Sequence, residues 1–287
     1  MTSVRNITVP YVPLDEFDWS FYRSGPLPWN QTIWSLIAVF TAVPLWMTIE
    51  LTVWVFYIFN RYSGLYFWSV LITTWGVTLH AIGFVLKDCV PQCSWIFSTI
   101  LAEIGWVGMV TGFSVVLYSR LHLVSFVMHS SSILRLALSM IIIDALLFHV
   151  PTIVFQFGCS DPHTHAKYVA YMGPMERVQV LGFSIQETIL SALYIYGTVQ
   201  MFKESITSKI RTTLKYLVLI QVVVILCDLV VIVLDYAGYF TLKAVIHSFV
   251  YALKLQLEFV ILNKLRNVSK GGLTPRSLNA DPDSLNS

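Results

Sequence analysis

The hydrophobic positions of this chain are gathered into seven long stretches, which short polar segments separate. A helix needs about 20 mainly apolar residues to cross the hydrocarbon core of a bilayer, and each stretch meets this length. The predicted helices are Ile33–Phe59, Leu65–Leu86, Trp95–Tyr118, Leu134–Phe157, Val178–Met201, Leu214–Tyr236 and Lys243–Leu265. Because the connections are short, neighbouring helices should pack antiparallel, which predicts an all-α, seven-transmembrane-helix bundle.

The polar segments at the two ends of the chain set the expected domain limits. We expect an extracellular N-terminal segment over residues 1–29 and the seven-helix domain over residues 30–266. Residues 267–287 are rich in Gly, Ser, Pro, Asn and Asp, a composition typical of a disordered tail. No internal repeat is visible, which disfavours a transporter built from duplicated halves.

Basic residues in the connections predict the orientation of the bundle. With the N-terminus outside, 11 of the 18 Lys and Arg residues fall in cytoplasmic segments, six fall in outer segments, and Lys254 lies within a helix. Because an excess of basic residues marks the cytoplasmic side, we expect an outer N-terminus and a cytoplasmic C-terminus. The sequon at Asn6 would then be an outer glycosylation site. Candidate contacts to a cytoplasmic protein partner are Arg120, Lys203, Lys209, Arg211 and Lys215.

Composition restricts the classes of partner. Hydrophobic residues make up 56% of the chain and charged residues only 12%, against about 25% charged residues in soluble domains. The lipid bilayer is therefore the expected surroundings, and we expect the plasma membrane in particular. A net charge of +2, without a Gly-rich phosphate loop or a Cys-x-x-Cys pair, gives no reason to expect nucleic acid or a cofactor.

Ionisable residues inside the predicted helices are the strongest candidates for a functional site. The expected polar cavity is formed by Glu103, Asp144, Glu187, Asp228, Lys254 and Glu258. An unpaired charge near the midplane costs about 2.5–3.5 kcal/mol, so these side chains should face the bundle interior. We expect Lys254 within about 4 Å of Asp228, Glu187 or Asp144. Polar contacts that only hold helices together would explain the same residues.

The outer cysteines allow a disulfide. Cys93 begins the third helix and Cys159 lies at the second outer loop, so a bond between them would tie the loop to the helix. Pairing of Cys89 with Cys93 is the alternative.

Three segments carry a resemblance to a known family. They are Leu117–Val124 at the end of helix three, Ile143–Pro151 in helix four and Val250–Phe259 in helix seven. Together they resemble a family of filamentous-fungal integral membrane proteins of unknown function, over roughly Trp29 to Leu265. The layout is also similar to that of G-protein-coupled receptors. However, helix three ends in Tyr118-Ser119-Arg120 where those receptors keep an acidic-Arg-aromatic triplet, and helix seven lacks Asn-Pro-x-x-Tyr.

Enzyme and cofactor chemistry has weaker support in the sequence. Lys254 could carry a retinal Schiff base, but the aspartate that precedes this lysine by four positions in microbial rhodopsins is Val250 here. An intramembrane zinc hydrolase could use His80, His149, His247 and Asp144, although the His-x-x-x-His pair of such enzymes is missing from the last helix.

We therefore expect a receptor-like, non-enzymatic sensor of a small or lipidic ligand. A proton-coupled carrier, an intramembrane zinc hydrolase and a non-catalytic membrane scaffold remain as alternatives.

Overall fold

The computed structural model describes residues 11–20, 27–59, 62–90, 92–128, 131–201 and 208–272. Within these ranges, seven helices are long and apolar enough to cross a membrane, and no strand forms. They are α1 (Gln31–Ile58), α2 (Leu65–Cys89), α3 (Trp95–Met128), α4 (Ser131–Asp144, continued by the π-helical turn Ala145–His149 and by Val150–Ser160), α5 (His165–Met201), α6 (Ser208–Tyr236) and α7 (Phe240–Gly272). The predicted fold class is confirmed. The orientation of the termini across a membrane stays a prediction.

The surface of the bundle is apolar, and charged side chains lie in its interior among apolar ones, which is the distribution that a lipid solvent requires. Leu136 is 70% exposed and Leu146 is 63% exposed, whereas Arg120 and Lys254 are fully buried. Lipid can cover exposed leucine at no cost, but it cannot solvate a cation. The seven helices therefore form a multi-pass membrane protein.

Helix α5 shows the largest difference from the predicted helix bounds. The prediction that α5 begins at Val178 is wrong, because α5 begins at His165. Lys167 and Glu176 interrupt the apolar run, but the helix continues because Glu176 pairs with Lys243 inside the bundle. In α4, Pro151 has no N–H to donate to the carbonyl of residue 147, and the widened π-helical turn lies at this place.

Glycines bring α2 and α3 into close contact along their length. A Cβ atom on Gly76 would lie 2.5 Å from the backbone nitrogen of Met109, and one on Gly105 would overlap the backbone of His80. Small residues let two helix backbones approach in this way without a hydrophobic driving force. The α2–α3 pair is the most closely packed part of the fold.

The N-terminal segment lies across one end of the bundle. The backbone nitrogen of Leu27 donates to the carbonyl of Asp88 at 3.1 Å, and that of Thr241 donates to the carbonyl of Trp19 at 3.1 Å. Asn30 caps α1 by accepting a hydrogen bond from the backbone nitrogen of Thr32 at 3.0 Å. We call this end, which carries Asn30 and the beginning of α7, the N-terminal face. The opposite end is the C-terminal face.

Candidate functional site: three layers of buried ion pairs

The middle layer of the bundle is an ion triad centred on Lys254 of α7. Its ammonium group donates to Glu187 Oε2 of α5 at 2.8 Å and pairs with Asp228 of α6. The hydroxyl of Tyr251 donates to Glu187 Oε1 at 2.8 Å, and the ammonium lies 4.5 Å from the centre of the Tyr251 ring. Lys254, Glu187 and Tyr251 are all at least 96% buried. The predicted ion pairing of Lys254 is therefore confirmed, with two acids rather than one.

A second triad of the same composition lies nearer the N-terminal face. Lys243 of α7 donates to Asp235 Oδ1 of α6 at 2.9 Å and pairs with Glu176 of α5. Lys243 and Asp235 are buried, while the Glu176 side chain is 13% exposed. Each triad thus joins a lysine of α7 to a glutamate of α5 and an aspartate of α6.

Helical periodicity explains why the triad occurs twice. Lys243 and Lys254 are eleven positions apart in α7, Glu176 and Glu187 are eleven apart in α5, and Asp228 and Asp235 are seven apart in α6. Eleven and seven residues are close to three and two whole turns, so each pair shares one helix face. The α5 and α7 steps are both about 16.5 Å long. These two helices run in the same direction, and α6 runs against them.

The third layer lies toward the C-terminal face and brings in α3. Arg120 of α3 pairs with Glu258 of α7, and both side chains are fully buried. The side-chain amide of Gln221 on α6 also donates to Glu258. The guanidinium carbon of Arg120 lies 4.2 Å from the centre of the Tyr194 ring on α5. Arg120, a candidate contact to a cytoplasmic partner, is fully buried in this structure, and that contact stays a prediction.

A polar cavity of about 40 Å³ lies between the Lys243 triad and α2, α3 and α4. Its polar lining includes His80, Glu103, Gln156, Glu176, Gln179, Lys243 and His247. Drug-sized ligands occupy about 300–1,000 Å³, whereas a water needs only about 10–15 Å³. We call this space the vestibule. It has room for about three water-sized groups in this conformation.

A smaller space of about 10 Å³ continues from the vestibule toward the middle layer. It shares Gln179 and His247 with the vestibule and is also lined by Asp228 and Tyr251. Small spaces that are partly lined by polar side chains therefore lie between the Lys243 triad and the Lys254 triad.

Two of the expected cavity residues lie outside all three layers of ion pairs. Glu103 lines the vestibule, and its Oε2 atom is shielded from solvent without a hydrogen-bond partner. Asp144 is only half-buried and lies beside exposed Ile143 and Leu146 on α4. The expectation that Asp144 faces the interior and is a candidate partner for Lys254 is wrong, because the rotation of α4 turns it toward the lipid-facing side.

The histidines that an intramembrane zinc hydrolase could use do not come together. In the part of the chain that the structure describes, no three His, Cys, Asp or Glu side chains are grouped closely enough to hold a metal ion. The rings of His80 and His247 are 6.1 Å apart, but His149 is turned away into a hydrogen bond of 2.7 Å with Thr111 and a contact with the Trp106 ring. The π-helical turn that ends at His149 gives it this position.

No disulfide joins the cysteines of the described residues, so the expected Cys93–Cys159 bond is absent from this structure, and so is the Cys89–Cys93 alternative. Cys159 lies in the last turn of α4, where its carbonyl is held by His165 at 2.6 Å. Cys93 instead lies in a turn closed by its own backbone bond to the carbonyl of Val90.

Some expected contacts cannot be placed. Asn6 and Lys203, and the side chains of Lys209 and Arg211, lie outside the described residues. Lys215 is described and is exposed near the C-terminal face.

The triad of Lys243, Glu176 and Asp235 is not among the sites predicted from the sequence. Lys243 is one of the six predicted outer basic residues, at the very beginning of predicted helix seven, and Glu176 precedes the predicted beginning of helix five at Val178. The signal that could have found them is the shared spacing of eleven residues, which relates Lys243 to Lys254 and Glu176 to Glu187.

Comparison with known proteins gives a family but no activity. The family described as a domain of unknown function (DUF7703) matches residues 25–273 of the chain, which includes all three layers. No curated protein and no solved structure matches the chain.

Proposed function

Because the chain belongs to the DUF7703 family, whose function is unknown, we propose its function from geometry: a receptor-like membrane sensor of a small polar ligand. The observation that carries the proposal is the series of buried ion pairs between the vestibule and Arg120. These pairs join α7 to α5, α6 and α3 at three depths. A ligand that enters the vestibule would meet the first of these layers.

Electrostatics supports a switch rather than a passive anchor. A buried ion pair contributes little net stability compared with apolar residues of the same size, yet it allows very few alternative arrangements. If α7 shifts relative to α5 and α6, the pairs of Lys243 and Lys254 must break or exchange partners together. Such discrete repacking is how a change at one end of a helix bundle reaches the other end.

The lining of the vestibule favours a small polar ligand over a lipidic one. Its volume is far below that of the pockets that hold drug-sized molecules. Its walls carry Glu103, Gln156 and His247, which can form directional hydrogen bonds. A lipid tail would leave these groups without partners.

The sensor proposal predicts that the Arg120–Glu258 pair holds one of two conformations. Spin labels at the exposed positions Leu65 and Val260, in a background with all cysteines replaced by serine, report the distance between α2 and α7 toward the C-terminal face. We expect Glu258→Gln to shift this distance by at least about 2 Å, because the contact between α7 and α3 is lost. Double electron–electron resonance in detergent micelles measures it.

Two further variants make this test decisive. The double variant Arg120→Met with Glu258→Leu leaves no unpaired charge, should remain folded and should shift the distance in the same way. Asp144→Asn, at a half-buried position of α4 apart from the ion pairs, is the control and should leave the distance unchanged. If the distance is unchanged both in Glu258→Gln and in the double variant, the result would favour the membrane scaffold and overturn the sensor.

The proposed orientation has the N-terminal face outside the cell, in the plasma membrane. A cysteine at Ser160 should then react with a membrane-impermeant maleimide on intact cells, and a cysteine at Tyr62 should react only after permeabilisation. The single cysteines are introduced into the cysteine-free background. Labelling of Tyr62→Cys from outside would reverse the orientation.

A proton-coupled carrier is the second candidate, and a specific observation favours it. Each triad holds two carboxylates against one ammonium group, so each has a formal charge of −1 when both acids are ionised. One extra proton would neutralise each triad. Liposomes with a trapped pH indicator and an imposed potassium diffusion potential test this candidate. Proton uptake that Glu187→Gln abolishes would select the carrier over the sensor.

A further inference from the structure

The vestibule contains two hydrogen-bond acceptors without partners. His80 is 6% exposed, and its Nδ1 atom lies 3.2 Å from the carbonyl oxygen of Ala102. Because a carbonyl can only accept, Nδ1 carries the proton in the neutral ring, and Nε2 is left as an acceptor. Nε2 has no hydrogen-bond partner, and neither does Glu103 Oε2, although both atoms are buried. An unsatisfied buried polar atom is uncommon and costs stability, so these two indicate a missing donor.

The charge around the vestibule has the sign that attracts a cation. Glu103 and Glu176 line it together with Lys243, whose ammonium group is already paired with Glu176 and Asp235. Among the described residues, no ion pair involves Glu103. The Lys87 ammonium group lies 6.0 Å from the Phe84 ring at the end of α2 and forms no ion pair with Glu103.

Size and shape restrict the cation further. The vestibule has room for about three water-sized groups, so a ligand of two or three heavy atoms fits without rearrangement. The indole ring of Trp106 and the ring of Phe84 form part of the wall, and they offer apolar contact for a short alkyl group. Aromatic rings also attract cations through their negative faces. The required ligand therefore combines N–H donors, a positive charge and a very short carbon chain.

From these observations we propose that the vestibule is a binding site for a small protonated primary amine. The ammonium group donates to Glu103 Oε2 and His80 Nε2, and the alkyl group lies against Trp106. This inference rests on the proposed sensor function, because it names the class of ligand that the sensor would detect.

Equilibrium dialysis of radiolabelled methylammonium against the purified full chain in detergent tests the site. Wild-type protein should bind one equivalent saturably at constant ionic strength. Glu103→Gln should bind at least about tenfold more weakly, because it loses a charge-assisted hydrogen bond. Glu50→Gln removes a half-buried carboxylate elsewhere in the bundle and should bind as wild type does.

Competition on the wild-type protein gives a result that does not depend on the folding of a variant. Ammonium should displace labelled methylammonium, whereas tetramethylammonium should not, because it has no N–H donor and exceeds the volume of the vestibule. Equal displacement by tetramethylammonium, or by sodium at the same ionic strength, would overturn the site, as would the absence of saturable binding. A shift in the spin-label distance without methylammonium binding would leave the sensor intact and reject only this ligand class. Methylammonium binding without any shift in the spin-label distance would support the amine site and reject the sensor.

Discussion

The bundle contains two regions that are held together by different forces. The α2–α3 pair is joined by glycines and by direct contact of the two backbones, as at Gly76 and Gly105. The region formed by α5, α6 and α7 is joined by the triads of Lys243 and Lys254. The contact between the α2 and α3 backbones allows only one arrangement, because rotation of either helix would replace a glycine at the contact with a residue whose side chain does not fit there. Ion pairs can exchange partners, so the second region can hold more than one arrangement.

The difference assigns a role to each region. In a sensor, α2 and α3 would serve as the fixed frame, and α7 would move relative to it. Arg120 joins the two regions, because it extends from α3 of the frame to Glu258 of α7. The frame and the ion-paired region should therefore respond differently to single substitutions.

Replacing Lys254 with methionine should have the largest effect. Glu187 and Asp228 would remain buried side by side without a cation, and removal of one partner from a buried ion pair costs about 3–5 kcal/mol. The free energy of unfolding in mixed micelles should fall by this amount, whereas Lys215→Met, at an exposed lysine of α6, should change it by less than about 0.5 kcal/mol. A triple variant with Lys254→Met, Glu187→Gln and Asp228→Asn should recover most of the loss. If it recovers nothing, the three groups do not act as a unit.

Replacing Gly105 with alanine should break the frame at a cost of about 2–3 kcal/mol. The new Cβ atom meets the backbone of His80, which cannot rotate away, so α2 and α3 must separate. Gly108→Ala is the matched control one turn along α3. Its Cβ atom would be 3.5 Å from the Cα atom of Gly76, an ordinary contact, and the variant should be as stable as wild type. Thermal unfolding of both variants measures the difference, and equal losses would contradict the close backbone contact.

Replacing Lys243 with methionine should cost less than the same change at Lys254, about 1–2 kcal/mol. Asp235 would stay buried without its cation, but the carboxylate of Glu176 is partly exposed and borders the vestibule, so polar surroundings can compensate for part of the lost ammonium group. The same unfolding measurement on both lysine variants gives the comparison directly. If the free energy of unfolding falls more for Lys243→Met than for Lys254→Met, the Lys243 triad is less accessible to water than the Lys254 triad.

Replacing Asp228 with asparagine should have the smallest effect, within about 1 kcal/mol of wild type. Lys254 keeps Glu187 as its ion partner, and an asparagine carbonyl can still accept a hydrogen bond from the ammonium group. The change also removes the excess negative charge of the triad. Unfolding curves of Asp228→Asn and Lys254→Met measure the difference. If both variants lose the same free energy of unfolding, Lys254 requires both acids in the ionised form.

The sequence alone determined the architecture, because the evidence for it is local. A run of about 20 apolar residues forms a membrane-spanning helix whatever its neighbours are, since its backbone groups bond within the segment. The cost of an isolated charge in the membrane also predicted that Lys254 pairs with an acid, and Glu187 and Asp228 were two of the three candidates. It misplaced the beginning of α5, because helix length was judged by hydrophobicity and Glu176 is charged.

Only the tertiary structure decided which charges meet, because that depends on the rotation and depth of helices that are distant in the sequence. Lys254 and Glu187 are separated by 67 positions, and nothing in either segment specifies their common level. A rotation of α4 takes Asp144 out of the interior although its residue type and depth resemble those of Asp228. The sequence puts Arg120 just beyond the predicted end of helix three at Tyr118, yet α3 continues past it and the guanidinium group extends inward to Glu258. Residue type therefore indicates that a charge needs a partner, and packing selects the partner.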